Sequence, residues 1–234
     1  MNYPPIDSGI FEHRKQAVLY DKKWIIFLKR SWPFRFIPFV DFVFGAGSMA
    51  VGDVTPASDF DVIMGAKNGR IFTARFFSIL FFGLLGWRRK KLDHQEVASN
   101  KICLNHFVTK NSYRLAAPHT SSWKNLYASL VPIFGKEEEM DKFWRANSDW
   151  VKIEKKRTYD LRHRLESAST FKSLCEKILN NRIGDVLEKF LRHIQVRRIE
   201  ESLKKERFGH EPRIIYSDAE LEFHPDTKER YDNR

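Results

Sequence analysis

The chain has 234 residues, of which 42% are hydrophobic and 14% aromatic, and a formal net charge of +11. This apolar content excludes a disordered chain and suffices for one core, or for one domain with a helical appendage. The positive charge is concentrated in residues 1–115 and 152–207, which indicates an anionic partner larger than one nucleotide, such as RNA or another polyanion.

The N-terminal half combines helical and strand patterns. Apolar spacing after a Ser8 N-cap predicts a helix from Phe11 to Lys29, which the following prolines end. Strands are predicted at Phe39–Phe44, Phe60–Met64 and Ile102–Val108. The apolar run at 76–87 has twelve residues, whereas a bilayer-spanning helix needs about 20. We therefore expect a buried helix there and no transmembrane segment.

Pro118 and the polar run at 120–122 mark a boundary, after which the signals are helical. Helices are predicted at Trp123–Val131, Lys136–Asn147 and Gly184–Lys205, and one or two helices from Ile153 to about Leu179. The tail has one short strand candidate, Arg213–Tyr216. We predict an α+β protein with a small mixed β-sheet and flanking helices in residues 1–117, a helical region in 118–208 and a tail in 209–234.

The two cysteines, Cys103 and Cys175, stand in apolar segments without the spacing of a zinc site. We therefore expect buried, reduced thiols and a cytoplasmic location. The first residues lack the charged and apolar regions of a secretion signal, so we expect no such signal.

The residues suited to binding a metal ion and a phosphate are concentrated in one stretch near the second strand. The first strand enters a small-residue turn ending in Gly47-Ser48. Ten residues separate Ser48 from Asp59, and Asp61 follows two positions later. Residues i and i+2 of a strand share a face, so the two carboxylates should lie side by side and attract a cation such as Mg²⁺. The turn presents backbone N–H groups and a hydroxyl to an anion. Together these groups suit a nucleoside triphosphate.

This combination resembles the polymerase-β-type nucleotidyltransferase superfamily. Gly47-Ser48 match its Gly-Ser signature, and the residues from Ser58 to Val62 match its Ser-Asp-x-Asp-apolar signature. The resemblance is good from about Phe39 to Met64 and weak up to about Val108. It implies a nucleotidyltransferase-like small mixed sheet.

The resemblance also implies an activity, namely transfer of a nucleotidyl group from a nucleoside triphosphate, with ATP expected, to a hydroxyl. Asp59 and Asp61 would be the catalytic residues and would hold one or two Mg²⁺ or Mn²⁺ ions. Gly47 and Ser48 would bind the β- and γ-phosphates. Arg75, just after the carboxylate strand, is a further candidate for phosphate contact.

The superfamily typically adds a third carboxylate from a later strand. The strand predicted at Ile102–Val108 carries Asn105 there, which can ligate a metal but cannot act as a base. Asp93 and Glu96 are alternative acids just upstream. This departure leaves a second outcome open, in which a catalytically degenerate module of the same fold binds nucleotide or RNA.

The acceptor hydroxyl is open between an RNA 3′ end, a protein side chain and a small aminoglycoside-like molecule. The segment Arg157–His163 resembles the Arg-x4–6-His signature of HEPN ribonucleases. A nucleotidyltransferase–HEPN toxin–antitoxin pair is therefore a third alternative. For a polyanion, we predict a basic track that joins Arg88–Lys91 to three arginines of the last helix, Arg192, Arg197 and Arg198.

Overall fold

A computed structural model describes residues 8–90, 98–117, 119–152, 168–205 and 213–224. The helices of these residues are α1 (Ser8–Ser31), α2 (Gly47–Val51), α3 (Ile71–Leu84), α4 (Ser121–Ala128), α5 (Glu137–Asn147), α6 (Thr170–Leu179) and α7 (Arg182–Lys205). The strands are β1 (Val40–Gly45), β2 (Phe60–Ala66), β3 (Ile102–Val108), β4 (Val131–Gly135), β5 (Arg213–Tyr216) and β6 (Glu220–His224). The chain is thus a mixed α+β protein.

The six strands form one mixed sheet in the order β4-β1-β2-β3-β6-β5. Only β2 and β3 pair in parallel, and every other neighbouring pair is antiparallel. The parallel pair requires a crossover, which α3 supplies. The antiparallel connection from β1 to β2 carries the short helix α2.

The two faces of the sheet bury different clusters. Along β2, Phe60 and Val62 belong to one cluster, whereas Ile63 belongs to the other, as the alternation of a strand dictates. We call the side covered by α1, α3 and α7 the α3 face. The side covered by α4 and α5 is the α4 face, with Tyr127 and Phe143 in its core. Asp61 alternates with Phe60 and Val62 and so lies toward the α4 face.

Most predicted elements are confirmed. The structure has β3 at Ile102–Val108, the long first helix, the apolar α3 and the helices α5 and α7 near their predicted bounds. Among the described residues, no helix is long and apolar enough to cross a bilayer.

Two strands correct the sequence prediction. The sequence predicts Val131 as the end of a helix, but Val131 begins the edge strand β4. Pro132 is tolerated there because an edge strand need not donate every N–H to a neighbouring strand. Glu220–His224 forms β6, which inserts between β3 and the predicted strand β5. Both strands are short runs, whose periodicity does not distinguish a helix from a strand. The one sheet contains strands from residues 1–117, 118–208 and 209–234.

Candidate metal and nucleotide site

Asp59 and Asp61 flank the first residue of β2. That residue, Phe60, is fully buried on the α3 face and stacks on Phe27 of α1, with ring centroids 4.8 Å apart. One oxygen of each carboxylate and the sulfur of Cys103 lie within 4.8 Å of one another. The structure therefore brings the two predicted carboxylates together, and it adds the thiol of Cys103, for which the sequence predicts only burial.

The Gly47 turn closes directly on Asp61. Gly47 has φ +61°, and a Cβ built there would overlap Asp61 Oδ2 and lie 2.9 Å from Asp61 Cγ. The preceding Ala46 donates its backbone N–H to the Asp61 carbonyl across 2.9 Å. Ser48 follows as the second residue of α2. Glycine is thus needed at position 47 both for its backbone conformation and for the space that it leaves to the carboxylate.

Asp59 has a cationic partner that sequence reasoning missed. Arg89 Nη1 donates to Asp59 Oδ2 across 2.7 Å, and each side chain is only 16% exposed. Burial alone would lower the pKa of the Arg89 guanidinium, but the Asp59 carboxylate, together with Cys103 and Asp61, outweighs burial and raises it. The backbone of Arg89 is held beside β3 by its N–H bond to the Ile102 carbonyl. Arg89 was predicted only as part of a basic surface run.

The residue opposite Asp61 on β3 is Cys103. Burial raises the pKa of the Cys103 thiol well above its usual value, and the Asp61 carboxylate raises it further. The thiol is therefore protonated at neutral pH. A neutral thiol is a poor ligand for a hard cation, which prefers oxygen. Among these three groups, the two carboxylates are the ligands suited to Mg²⁺.

A buried lysine shapes the loop that leads to Asp59. Lys23 of α1 donates from Nζ to the carbonyls of Pro56 and Ser58, at 2.9 and 2.7 Å. Burial lowers the pKa of Lys23, and the nearby Asp59 carboxylate opposes this effect. The position of the backbone just before the carboxylate pair is thus set by a contact 35 residues away in sequence.

Asn105, the predicted third ligand, lies in an irregular part of β3. Asp61 pairs with Cys103 but Ile63 pairs with His106, so Leu104 and Asn105 together face the single residue Val62. The Asn105 amide nitrogen lies 3.4 Å from His224 Nδ1 of β6. The structure thus directs Asn105 toward β6 and places Cys103 beside the carboxylates. The alternative acids, Asp93 and Glu96, lie outside the described residues.

Arg75 is not brought to the carboxylate pair. Its guanidinium donates to Gln195 of α7 across 2.7 Å and lies 5.0 Å from the ring centroid of Phe223. Both partners are on the α3 face, away from the side toward which Asp61 points. Burial lowers the pKa of Arg75 to about 10. The position of Arg75 offers no support for a phosphate contact at this site.

The structure describes part of the predicted basic track. Helix α7 packs on the α3 face, where Arg192 pairs with Asp218 at 2.6 Å and Arg197 with Glu201 at 2.9 Å. Arg88 lies beside the start of β3, where it bridges to Ile102, and its charge helps to lower the pKa of Arg75. Lys91 and the HEPN-like segment Arg157–His163 lie outside the described residues.

Comparisons of this chain with protein-family models, with curated proteins and with solved structures find no match.

Proposed function

We propose that this chain is a metal-dependent nucleotidyltransferase that moves a nucleotidyl group from a nucleoside triphosphate, with ATP expected, to a hydroxyl acceptor. The observation that carries the proposal is the contact between the Gly47 turn and the Asp61 carboxylate. The Gly-Ser turn and the Asp-x-Asp pair, separated in sequence by a loop, are in contact. A triphosphate bound at the turn would therefore lie next to a cation bound by the carboxylates.

The donor set fits Mg²⁺ or Mn²⁺, since both ions prefer oxygen ligands. Asp59 and Asp61 would hold the ion, and the protonated Cys103 would not compete for it. The ion would make the acceptor oxygen more acidic and neutralise charge on the α-phosphate.

The protein's own groups would orient the triphosphate. The backbone N–H groups at Gly47 and Ser48 and the Ser48 hydroxyl would donate to the β- and γ-phosphates. Arg89, held at Asp59, supplies positive charge at the edge of the same site and offers a fixed guanidinium to a phosphate oxygen.

The fold supports the same proposal. β1, the α2 turn, β2, the α3 crossover and β3 follow one another in chain order and form the middle of the sheet. This is the unit that a nucleotidyltransferase-like sheet implies, and the carboxylates stand at its second strand. The role of the helices after β3 is to cover the sheet on both faces.

The test is transfer of label from nucleoside triphosphates in the presence of Mg²⁺ or Mn²⁺. RNA, protein and aminoglycoside-like acceptors are offered, and products are identified by mass spectrometry. Asp61→Asn should abolish transfer, while Asp141→Asn, an exposed acid of α5, should leave it unchanged. Equal transfer by a folded Asp61→Asn protein would refute the assignment.

The geometry favours one alternative, a module that binds nucleotide or RNA without turning it over. Its basis is the neutral thiol of Cys103 in the position opposite Asp61, because a protonated thiol cannot accept the proton of the attacking hydroxyl. This alternative predicts Mg²⁺-dependent ATP binding, weakened by Asp61→Asn, with no labelled product for any acceptor.

A further inference from the structure

A second polar cluster lies on the α4 face, where β3 pairs with β6. His106 and Glu222 are direct partners across these strands, and His224 follows two residues later on the same face. One ligand atom from each of the three side chains lies within 4.8 Å of the others. The side chains of His106 and Glu222 are 1% and 0% exposed, and that of His224 is 26% exposed. Neither the motif nor the proposed transfer uses these residues.

Two buried atoms of this cluster have no hydrogen-bond partner among the residues that the structure describes. They are Nδ1 of His106 and Oε1 of Glu222. Leaving a buried polar atom unpaired is costly, and such atoms in a native structure call for an explanation. A shared ion would satisfy both, because an imidazole lone pair and a carboxylate oxygen are metal ligands.

Each candidate ligand is held by a second contact at its other polar atom. His106 Nε2 lies 3.1 Å from Glu220 Oε1, and Arg213 Nε donates to Glu222 Oε2 across 2.6 Å. A carboxylate behind a histidine ligand fixes its tautomer and orientation in many metal sites. Glu220 therefore holds the proton on Nε2 of His106 and leaves the buried Nδ1 as the atom with a free lone pair.

His224 has the same arrangement. Its Nδ1 is 3.4 Å from the Asn105 amide nitrogen, and its Nε2 is 3.5 Å from Glu222 Oε1. Rotation of the Asn105 amide by half a turn would present its oxygen to an Nδ1–H group and leave Nε2 as the ligand atom. The irregular stretch of β3 thus gives Asn105 a role behind this cluster.

We propose that His106, Glu222 and His224 bind one divalent transition-metal ion of the Zn²⁺ class. Two imidazole nitrogens and one carboxylate oxygen suit Zn²⁺ and its first-row neighbours far better than Mg²⁺. The ion joins β3 to β6 across more than a hundred residues of chain, so it ties the C-terminal hairpin β5–β6 to the middle of the sheet. It is distinct from the hard cation proposed at Asp59 and Asp61.

The experiment uses the full chain, freed of metal by a chelator and titrated with Co²⁺, a spectroscopic substitute for Zn²⁺. One equivalent should bind and give visible d–d absorption, and one equivalent of Zn²⁺ should displace it and raise the melting temperature. His224→Gln should lose both responses. His193→Gln, at an exposed histidine of α7, should keep them.

Two further variants separate the two sites. Asp61→Asn should keep the full Co²⁺ spectrum even where it abolishes transfer, so failure of the proposed enzyme activity leaves this result unaffected. A thiolate charge-transfer band that disappears in Cys103→Ala would place the ion at the other cluster and overturn the proposal.

X-ray absorption on the Zn²⁺-loaded wild-type chain makes the test independent of how the variants fold. Nitrogen and oxygen neighbours with imidazole scattering are expected. Sulfur in the first shell, or no stoichiometric binding by the wild-type protein, would equally overturn the proposal.

Discussion

Arg89 and Asp59 form a nearly buried ion pair, joined by a 2.7 Å hydrogen bond between Nη1 and Oδ2. The pair neutralises one of two adjacent carboxylates. A cation that binds Asp59 and Asp61 therefore finds the charge of Asp59 already compensated by Arg89. Binding of the cation to Asp59 must weaken the hydrogen bond between Arg89 and Asp59.

Arg89→Gln should therefore have two opposite effects. Loss of the guanidinium leaves Asp59 beside Asp61 without compensation, and we expect stability to fall by about 1–3 kcal/mol without divalent cations. Because the site becomes more negative, added Mg²⁺ should raise the melting temperature more than in the wild type. Thermal unfolding with and without Mg²⁺ measures both effects.

The control for this prediction is Arg114→Gln. It breaks an exposed ion pair with Asp149, whose side chains are 51% and 57% exposed, and such pairs contribute about 0–1 kcal/mol. If both substitutions destabilise equally and neither changes the response to Mg²⁺, the Arg89 pair has no special relation to a cation site.

Gly47→Ala should test the contact between the turn and the carboxylate. The substitution places a Cβ in the left-handed backbone region and against Asp61 Oδ2. Gly52→Ala is the matched control, since Gly52 has φ +91° but nothing within 4 Å of the added Cβ. Backbone strain alone costs about 1–2 kcal/mol, and Gly47→Ala should cost more and also abolish Mg²⁺-dependent nucleotide binding. Binding is measured by calorimetry, and retention by Gly47→Ala would contradict the proposed phosphate turn.

The sequence was sufficient to predict the contacts of this site that depend on local geometry. It was insufficient to predict those that depend on how distant strands pair. The spacing of Gly47, Asp59 and Asp61 predicted that turn and carboxylates meet, because turn and strand geometry are set by neighbouring residues. The pairing of Cys103 with Asp61 depends on the register of a parallel strand pair, and an extra residue at Leu104–Asn105 shifts that register. No local pattern reports such a shift.

The same reason explains the missed contacts of Arg89 and of β6. Arg89 reaches Asp59 only after α3 has crossed the sheet, and β6 returns from the far end of the chain to pair with β3. Lone histidines and glutamates on a short strand show no site until the partner strand is known. The cluster of His106, Glu222 and His224 is therefore a product of topology rather than of a motif.

Cys103→Asp should convert the thiol position into a third carboxylate. Three neighbouring carboxylates repel one another, so we expect the free energy of unfolding to fall by about 2 kcal/mol or more in the presence of a chelator. Mg²⁺ should restore that stability. Asn105→Asp is the informative comparison, because its side chain is directed toward His224 and should give no added response to Mg²⁺. A larger Mg²⁺ response from Asn105→Asp than from Cys103→Asp would favour Asn105 over Cys103 as the position of the third ligand.

Binding of single-stranded RNA should distinguish the two basic regions. Contacts with phosphates release counterions, so log affinity should fall with log salt concentration by about 0.7 per phosphate neutralised. Arg88 and Lys90 lie on the segment that carries Arg89 to the carboxylate pair, whereas Arg192 and Arg197 lie on α7, where each forms an ion pair.

Replacement of Arg88 and Lys90 by Ala should therefore flatten the salt dependence by about 1.4, the value for two phosphates. Replacement of Arg192, Arg197 and Arg198 by Ala should leave it nearly unchanged, and fluorescence anisotropy at several salt concentrations measures both. An equal reduction of the salt dependence by the two sets of substitutions would mean that RNA contacts both basic regions. An affinity that does not depend on salt would mean that neither region neutralises RNA phosphates, and would direct the search for the acceptor toward a small molecule or a protein hydroxyl.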